Sequence, residues 1–308
     1  MFEISRSGFA VLGLQIHWYG ILIALGVFGA VLLACFREKK LGLKKDTSLN
    51  LALLCVPAGV LCARLYYVLF SWEYFAAHPL EILNLRSGGL AVYGGFIGGA
   101  LAALVYARVK KLSIGSIADL VAPGLAFGQA LGRWGNFFNQ EAYGAAVIKP
   151  ALQFFPVSVY IEGSGWHYAT FFYESIWCAL ICVLLLLAEK RGWMKRRGDL
   201  FLAYLFLYGL ERSMVEGLRT DSLYLGPFRV SQLLSLALML AVLIVLVLRL
   251  REKRMFAALP LLMLMLLGVG LACGKPWFII IAAVILLIAA AVLYKLTPNR
   301  HENEGWNK

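Results

Sequence analysis

The sequence predicts an all-α fold, a polytopic transmembrane helical bundle. Three observations carry that expectation. Of the 308 residues, 61% are hydrophobic. They are gathered in runs of about twenty, the length that crosses a bilayer core. The basic residues fall on alternate connections between those runs. A soluble domain is nearer half apolar and has no means of covering so many such runs.

Nine runs read as spans, at residues 16–36, 48–70, 88–108, 115–133, 169–188, 199–217, 230–249, 255–273 and 277–295. No basic leader precedes the first, and it is long enough to cross, so a cleavable signal peptide is not expected. The fourth carries Asp119, Pro123 and several glycines and must face protein or water rather than lipid. The segments after the first, third, fifth, seventh and ninth spans read REKKLGLKK, ARVKK, EKRGWMKRR, RLREKR and the C-terminal tail. They hold 20 of the 29 Lys and Arg residues. The positive-inside rule then places the N-terminus outside and the C-terminus in the cytoplasm. The net charge of +12 is accordingly topology charge, and a nucleic-acid partner is not expected. The six cysteines lie in or beside apolar runs without metal-ligand spacing, so neither a metal site nor a disulfide framework is expected.

Arg64, Arg133, Arg212 and Arg219 lie within or at the ends of spans. An ionisable group there is costly and marks a functional site by default. Four on one outward side point to a shared anionic ligand. The densest polar cluster is GRWGNFFNQEAYG, Gly132 to Gly144. Arg133, Asn136 and Gln140 fall on one face if the helix continues. Arginine offers a fork of donors suited to phosphate, and Asn136 and Asn139 add neutral donors. Glu141 is a counter-ion for the arginine or an acid–base group. In YGLERSMVEGLR, Tyr208 to Arg219, Glu216 is spaced to pair with both Arg212 and Arg219. His17 to Gly20 reads IHWYG, where Trp18 and Tyr19 suit an aromatic belt. GGLAVYGGFIGG, Gly88 to Gly99, holds Tyr93 among glycines suited to close helix packing. These residues together describe an anion site at the outer membrane face, without naming a reaction.

The four clusters, in this order, resemble the prolipoprotein diacylglyceryl transferases of bacteria. The pattern GRxxNFxNxExxG at residues 132–144 is that family's signature. The ARLYYV run with Arg64, the FFYES segment of Phe171 to Ser175, and Ser231 with Gln232 agree with it, over about residues 8–250. The resemblance implies a plasma-membrane enzyme. It would move the diacylglyceryl group of phosphatidylglycerol to the lipobox cysteine of a preprolipoprotein and release glycerol 1-phosphate, with no cofactor. By motif, Arg133 and Arg219 would hold the phosphate and headgroup, supported by Asn136 and Asn139. Glu141 would orient Arg133. Glu216 would orient Arg212 and Arg219, and Tyr19 and His17 would meet the lipid head.

Three departures stand out. Where the family reads His-Gly-Gly in the third span, Tyr93 occupies the histidine's place, and a tyrosine is a poor base at neutral pH. Either the histidine's role is not that of a general base, or another group takes it here, with Glu141 the substitute candidate, or the activity is altered. His167 stands one position out of register with a family His-Pro. Finally, residues 251–295 add two apolar spans to a seven-span transferase-like domain at 1–250, with a cytoplasmic tail at 296–308. The alternative functions are a paralogue with altered or lost transfer activity, or a lipid-binding or transport protein using the same anion site.

Overall fold

A computed structural model describes residues 2–11, 14–85, 88–225, 228–250, 258–273 and 276–297. Arg86, Lys275, most of the basic run after the seventh span and nearly all of the C-terminal tail lie outside the described residues. The described helices are α1 (Trp18–Glu38), α2 (Thr47–Phe70), a short α3 (Trp72–Ala77), α4 (Val92–Val109), α5 (Ile114–Asn139), α6 (Thr170–Lys190), α7 (Asp199–Val215), α8 (Val230–Leu248), α9 (Ala258–Cys273) and α10 (Pro276–Leu296). Seven of them (α1, α2, α4, α5, α6, α8 and α10) are long and apolar enough to cross a membrane. Helix α7 has 17 residues and α9 has 16, at about 1.5 Å of rise each, short of a bilayer core of about 30 Å. Of the two appended spans, α10 therefore meets the length criterion and α9 does not.

Short antiparallel strands join the helices, an addition to the all-α expectation. Strands β1 (Phe2–Ser5), β2 (Gly8–Val11) and β3 (Leu14–His17) form a meander leading into α1. Strands β4 (Ser158–Ile161) and β5 (Gly165–Tyr168) form a hairpin between α5 and α6, and β6 (Tyr224–Leu225) pairs with β7 (Phe228–Arg229) ahead of α8. Runs of two to four residues are too short for period-two patterning to reveal.

The chain forms two compact units, Val31–Val121 and the remainder. In the Val31–Val121 unit, α2 and α4 pack through small residues. A Cβ on Gly94 would fall 2.4 Å from the Cys62 carbonyl oxygen, and one on Gly98 would fall 2.5 Å from the Ala58 carbonyl oxygen. Such close approach substitutes for a hydrophobic driving force between helices in lipid. Arg37 and Glu38 belong to the basic run read as topology charge, yet both are buried. Arg37 donates to the carbonyls of Leu120 and Asp119 at 2.7 and 2.9 Å. The Glu38 carboxylate accepts from the amides of Asp46 and Ser48 at 2.9 and 3.0 Å, capping the start of α2.

Arg64 does not serve an anion. Its guanidinium donates to the carbonyls of Ile82, Gly88, Gly89, Glu81 and Asn84 at 2.5 to 3.1 Å. It also stacks over Phe75 at 5.1 Å. The arginine is the core of the 79–91 connection, which corrects the expectation that it shares a ligand with the other three. Tyr93, at the second position of α4, is exposed.

In the larger unit, α1 meets α5 glycine to glycine, with an added Cβ on Gly26 falling 3.2 Å from the Gly128 Cα. Helices α7 to α10 share an apolar core built from Leu210, Met239, Leu243, Leu267, Leu286 and Leu293, among others. A polar clasp closes this group. Buried Asp199 accepts from Arg249 at 2.5 Å and from the Tyr294 hydroxyl at 2.7 Å. Lys195 donates to the carbonyls of Tyr294, Lys295 and Thr297 at the C-terminus of α10, where a cation also complements the helix dipole.

The α2–α4 contact makes a pairwise prediction. Gly98→Val forces side-chain atoms into backbone and is expected to cost about 1–3 kcal/mol. Gly99→Val, whose added Cβ finds its nearest neighbour at 4.0 Å, is expected to be tolerated. Thermal unfolding of the two variants in detergent compares them.

Candidate anion site

Helix α5 continues past the expected end of its span, so Arg133 and Asn136 lie within its last turns. It stops because Gln140 and Ala142 adopt left-handed backbone conformations, with φ of 52° and 55°. The chain then turns, and Gly144 threads between two neighbours. Its amide donates to the Tyr168 carbonyl at 2.9 Å, and the next amide, Ala145, donates to the Leu218 carbonyl at 3.0 Å. A Cβ on Gly144 would lie 2.8 Å from Tyr168 Cβ and 3.0 Å from the Leu218 oxygen. Only glycine fits there without displacement. This seam brings the segment after α5 against the segment after α7 and so delivers Arg219 to the site. His167 is buried in the seam, its Nδ1 2.8 Å from the Gly144 carbonyl oxygen and its Nε2 2.8 Å from Ser164 Oγ. Both of its ring nitrogens are engaged within the seam.

Glu174, on α6, is the centre of the site. Its side chain is 1% exposed, and its Oε2 lies 2.7 Å from Arg133 Nε. Its other oxygen pairs with Arg212 Nη1 and lies 3.8 Å from Arg219 Nη1. Arg212 uses its second terminal nitrogen on Glu216, at 2.5 Å one helical turn away. Arg219 is gripped by Asp221 through Nε and Nη2, at 2.9 and 2.6 Å. Arg229 caps the turn by donating to the Glu216 carbonyl. Gln232, at the start of α8, donates to the Ser213 carbonyl at 3.1 Å. Trp134 donates to Ser175 Oγ, and Ser175 to the Ala130 carbonyl, tying α5 to α6.

Arg133, Arg212, Arg219 and Glu216 are thus brought together, but with different partners from those expected. Glu141 does not pair with Arg133. It is exposed and accepts from Asn139 Nδ2 at 3.2 Å, because the left-handed turn at Gln140 ends the helical spacing. Glu216 pairs with Arg212 alone, while Arg219 leans on Asp221 and Glu174. Asn136 is buried, and its carbonyl accepts from the Glu141 amide at 3.0 Å. Tyr19 packs its ring over Gly135, where a Cβ would fall 2.2 Å from Cδ2, and is within electrostatic reach of Arg133 and Glu141. His17 ends β3, exposed, opposite Gly8.

The residue missed by sequence reasoning is Glu174. It stood in the quoted FFYES segment, and the signal was available, since it is a carboxylate just inside an apolar run. Glu211, buried beside Arg212, was also passed over.

The chemistry follows from which donors are committed. Arg212 is held at both ends. Arg133 sets Nε against Glu174 Oε2 as an ion pair at 2.7 Å, and its two terminal nitrogens have no carboxylate or carbonyl partner among the described residues. Its side chain is 19% exposed, so a guanidinium with two uncommitted nitrogens sits at the accessible edge of a buried charge network. That is the geometry that takes a phosphate oxygen pair.

Two predictions test this arrangement. Glu174→Gln removes the shared counter-charge and leaves guanidinium groups buried without compensation, at an expected cost of about 3–5 kcal/mol in unfolding free energy. The Arg219 hydrogen bond holds the Asp221 carboxyl below its ordinary value of 3.8. A depressed carboxylate stabilises the fold above the ordinary value and loses that contribution as pH falls through the lowered one. Asp221→Asn is therefore expected to flatten the stability loss below about pH 4, read from unfolding midpoints across acid pH.

Residues 7–248 match the family model described as prolipoprotein diacylglyceryl transferase. Among curated proteins, the chain is 45% identical over 243 residues to a phosphatidylglycerol–prolipoprotein diacylglyceryl transferase of Bacillus cytotoxicus, covering 77% of this chain and 89% of that protein. It is similar at 45% to the protein of that name from Bacillus cereus and at 44% to that from Bacillus anthracis, with the same coverage. The match ends at the last residue of α8, so α9 and α10 lie beyond it. With the signature glycine and arginine placed as the site requires, the chain belongs to the prolipoprotein diacylglyceryl transferase family.

Proposed function

We propose that this multi-pass membrane enzyme transfers the diacylglyceryl group of phosphatidylglycerol to the thiol of a lipobox cysteine in a preprolipoprotein, releasing glycerol 1-phosphate. The pair of uncommitted nitrogens on Arg133 is the observation that carries the site-level reading. In this reaction the C–S bond forms as the glyceryl C–O bond to phosphate breaks. Negative charge develops on the departing phosphate oxygen. Preorganised guanidinium donors at that oxygen stabilise the transition state more than the ground state. Arg133 receives the phosphate, and Arg219 backs it from the segment after α7. Arg212 and Glu216 act by holding Glu174 and the helix end in place. Asn136, Asn139 and Tyr19 line the same end of α5, and His17 stands at the entry to α1.

The thiol must lose a proton, because the thiolate is the nucleophile. We assign that step to Glu141, whose exposed carboxylate is available to solvent and to an incoming peptide. Tyr93 serves at most as a hydrogen-bond donor. The protein works in the bacterial plasma membrane with its N-terminus outside and its C-terminus in the cytoplasm. Residues 1–250 form the transferase domain and 251–295 the appended helices.

Purified protein, phosphatidylglycerol vesicles and a lipobox peptide test the proposal, with glycerol phosphate release and thioether product as readouts. Arg133→Ala and Arg219→Ala are each expected to reduce kcat by about a hundredfold or more, the scale of losing a preorganised donor. Tyr93→Phe is expected to keep activity and Glu141→Gln to lose most of it. No product from the folded wild-type protein overturns the transferase reading. Full activity of Arg133→Ala overturns the assignment of the site.

A further inference from the structure

One buried acid in the site has no use in the chemistry above. Glu211 precedes Arg212 on α7 and is 1% exposed. Glu174 and Glu216 answer to arginines. Both carboxyl oxygens of Glu211, by contrast, lack a hydrogen-bond partner, and no ion pair reaches them among the described residues. It is nevertheless within electrostatic reach of Arg133, Arg212, Arg219 and Glu174. A carboxyl group buried without partners carries a full desolvation penalty. Such a group calls for donors from outside the chain, which a ligand entering the site can bring.

The cluster also has a direction. The arginine side chains keep what exposure it has, at 19%, 14% and 12% for Arg133, Arg212 and Arg219, while Glu174 and Glu216 beneath them keep 1–2%. A ligand that puts an anion on the arginine rim and sends neutral hydroxyl donors inward satisfies both layers. An anionic phosphodiester bearing a polyhydroxy head has that chemistry, and a bare phosphate does not.

We propose that Glu211 is a specificity-determining residue: it accepts hydrogen bonds from the hydroxyl groups of the phosphatidylglycerol head and so selects this lipid over anionic phospholipids that lack them. The inference rests on the transferase reading and adds to it which part of the lipid is read, and by what. Arg133 recognises the phosphate, common to many lipids, and Glu211 recognises the head.

The test compares phosphatidylglycerol with phosphatidylethanol, which has the same phosphodiester and no head hydroxyl, in the peptide-transfer assay. The wild-type protein is expected to favour phosphatidylglycerol in kcat/KM by about fivefold to tenfold, the worth of one well-formed hydrogen bond in a buried site. Glu211→Gln is expected to lose most of that preference through a raised KM for phosphatidylglycerol, with phosphatidylethanol little changed. Glu211→Asp, which keeps the acceptors, is expected to recover part of it. A wild-type protein that uses both lipids equally overturns the proposal without any variant. So does a Glu211→Gln protein that retains the wild-type preference, or one that loses the same factor on both lipids, since that is the mark of a structural role. Transfer from neither lipid by the wild-type protein is a failure of the transferase reading itself and is distinguishable from these results.

Discussion

Two arginines from different helices share one buried carboxylate, and a third lies within reach of it. Glu174 is almost fully buried and answers Arg133 from α5 and Arg212 from α7, with Arg219 at 3.8 Å. In a medium of low dielectric each of these attractions is strong, and each charge is intolerable without its partner. The three helices are therefore registered against one another by charge rather than by shape alone. The glycines that let α1 approach α5, and Gly209 against Ser235 and Met239 between α7 and α8, bring the backbones close enough for those side chains to meet.

The arginines of this chain divide by what they face. Arg37 and Arg64 are occupied by carbonyl oxygens, where a fixed fork organises a turn as a metal would. Arg212 and Arg219 are occupied by carboxylates. The terminal nitrogens of Arg133 have no carboxylate or carbonyl partner among the described residues, and that difference in partners, not the number of charges, sets it apart from the others. The ion pair with Glu174 has a further effect: it draws the Arg133 guanidinium to one place before any ligand arrives, so less rotamer entropy is lost on binding.

Most of the bundle was legible because apolar run length and loop charge are properties of local sequence. The helices lie within a few residues of the expected spans, apart from α5, which runs on to Asn139. The signature cluster was legible as a set of residue types. Its wiring was not. Glu141 is eight residues from Arg133 and seemed its natural counter-ion, yet a left-handed turn intervenes and the true partner is 41 residues away on α6. Spacing along a helix predicts neighbours only while the helix lasts. Arg64 failed for a different reason, since nothing in a sequence distinguishes an arginine waiting for phosphate from one encircled by the carbonyls of a later loop. The strands escaped because their pairing depends on contacts that two to four residues cannot encode.

The clasp at Asp199 bears on how the protein is made. Lys195 stands four residues ahead of the helix that carries Arg212, but its carbonyl partners at the end of α10 lie about a hundred positions later in the chain. At roughly 5–20 residues per second, a ribosome needs several seconds after Lys195 has been polymerised before those carbonyls exist. During that interval α6 and α7 can enter the bilayer, but the Asp199 carboxylate has at first only the amides of Lys195 and Arg196, gains Arg249 about halfway and waits for Tyr294. Assembly of the clasp is thus finished from the last-synthesised end, and a stop codon ahead of α10 would release a chain in which Asp199 keeps Arg249 but lacks the Tyr294 hydroxyl.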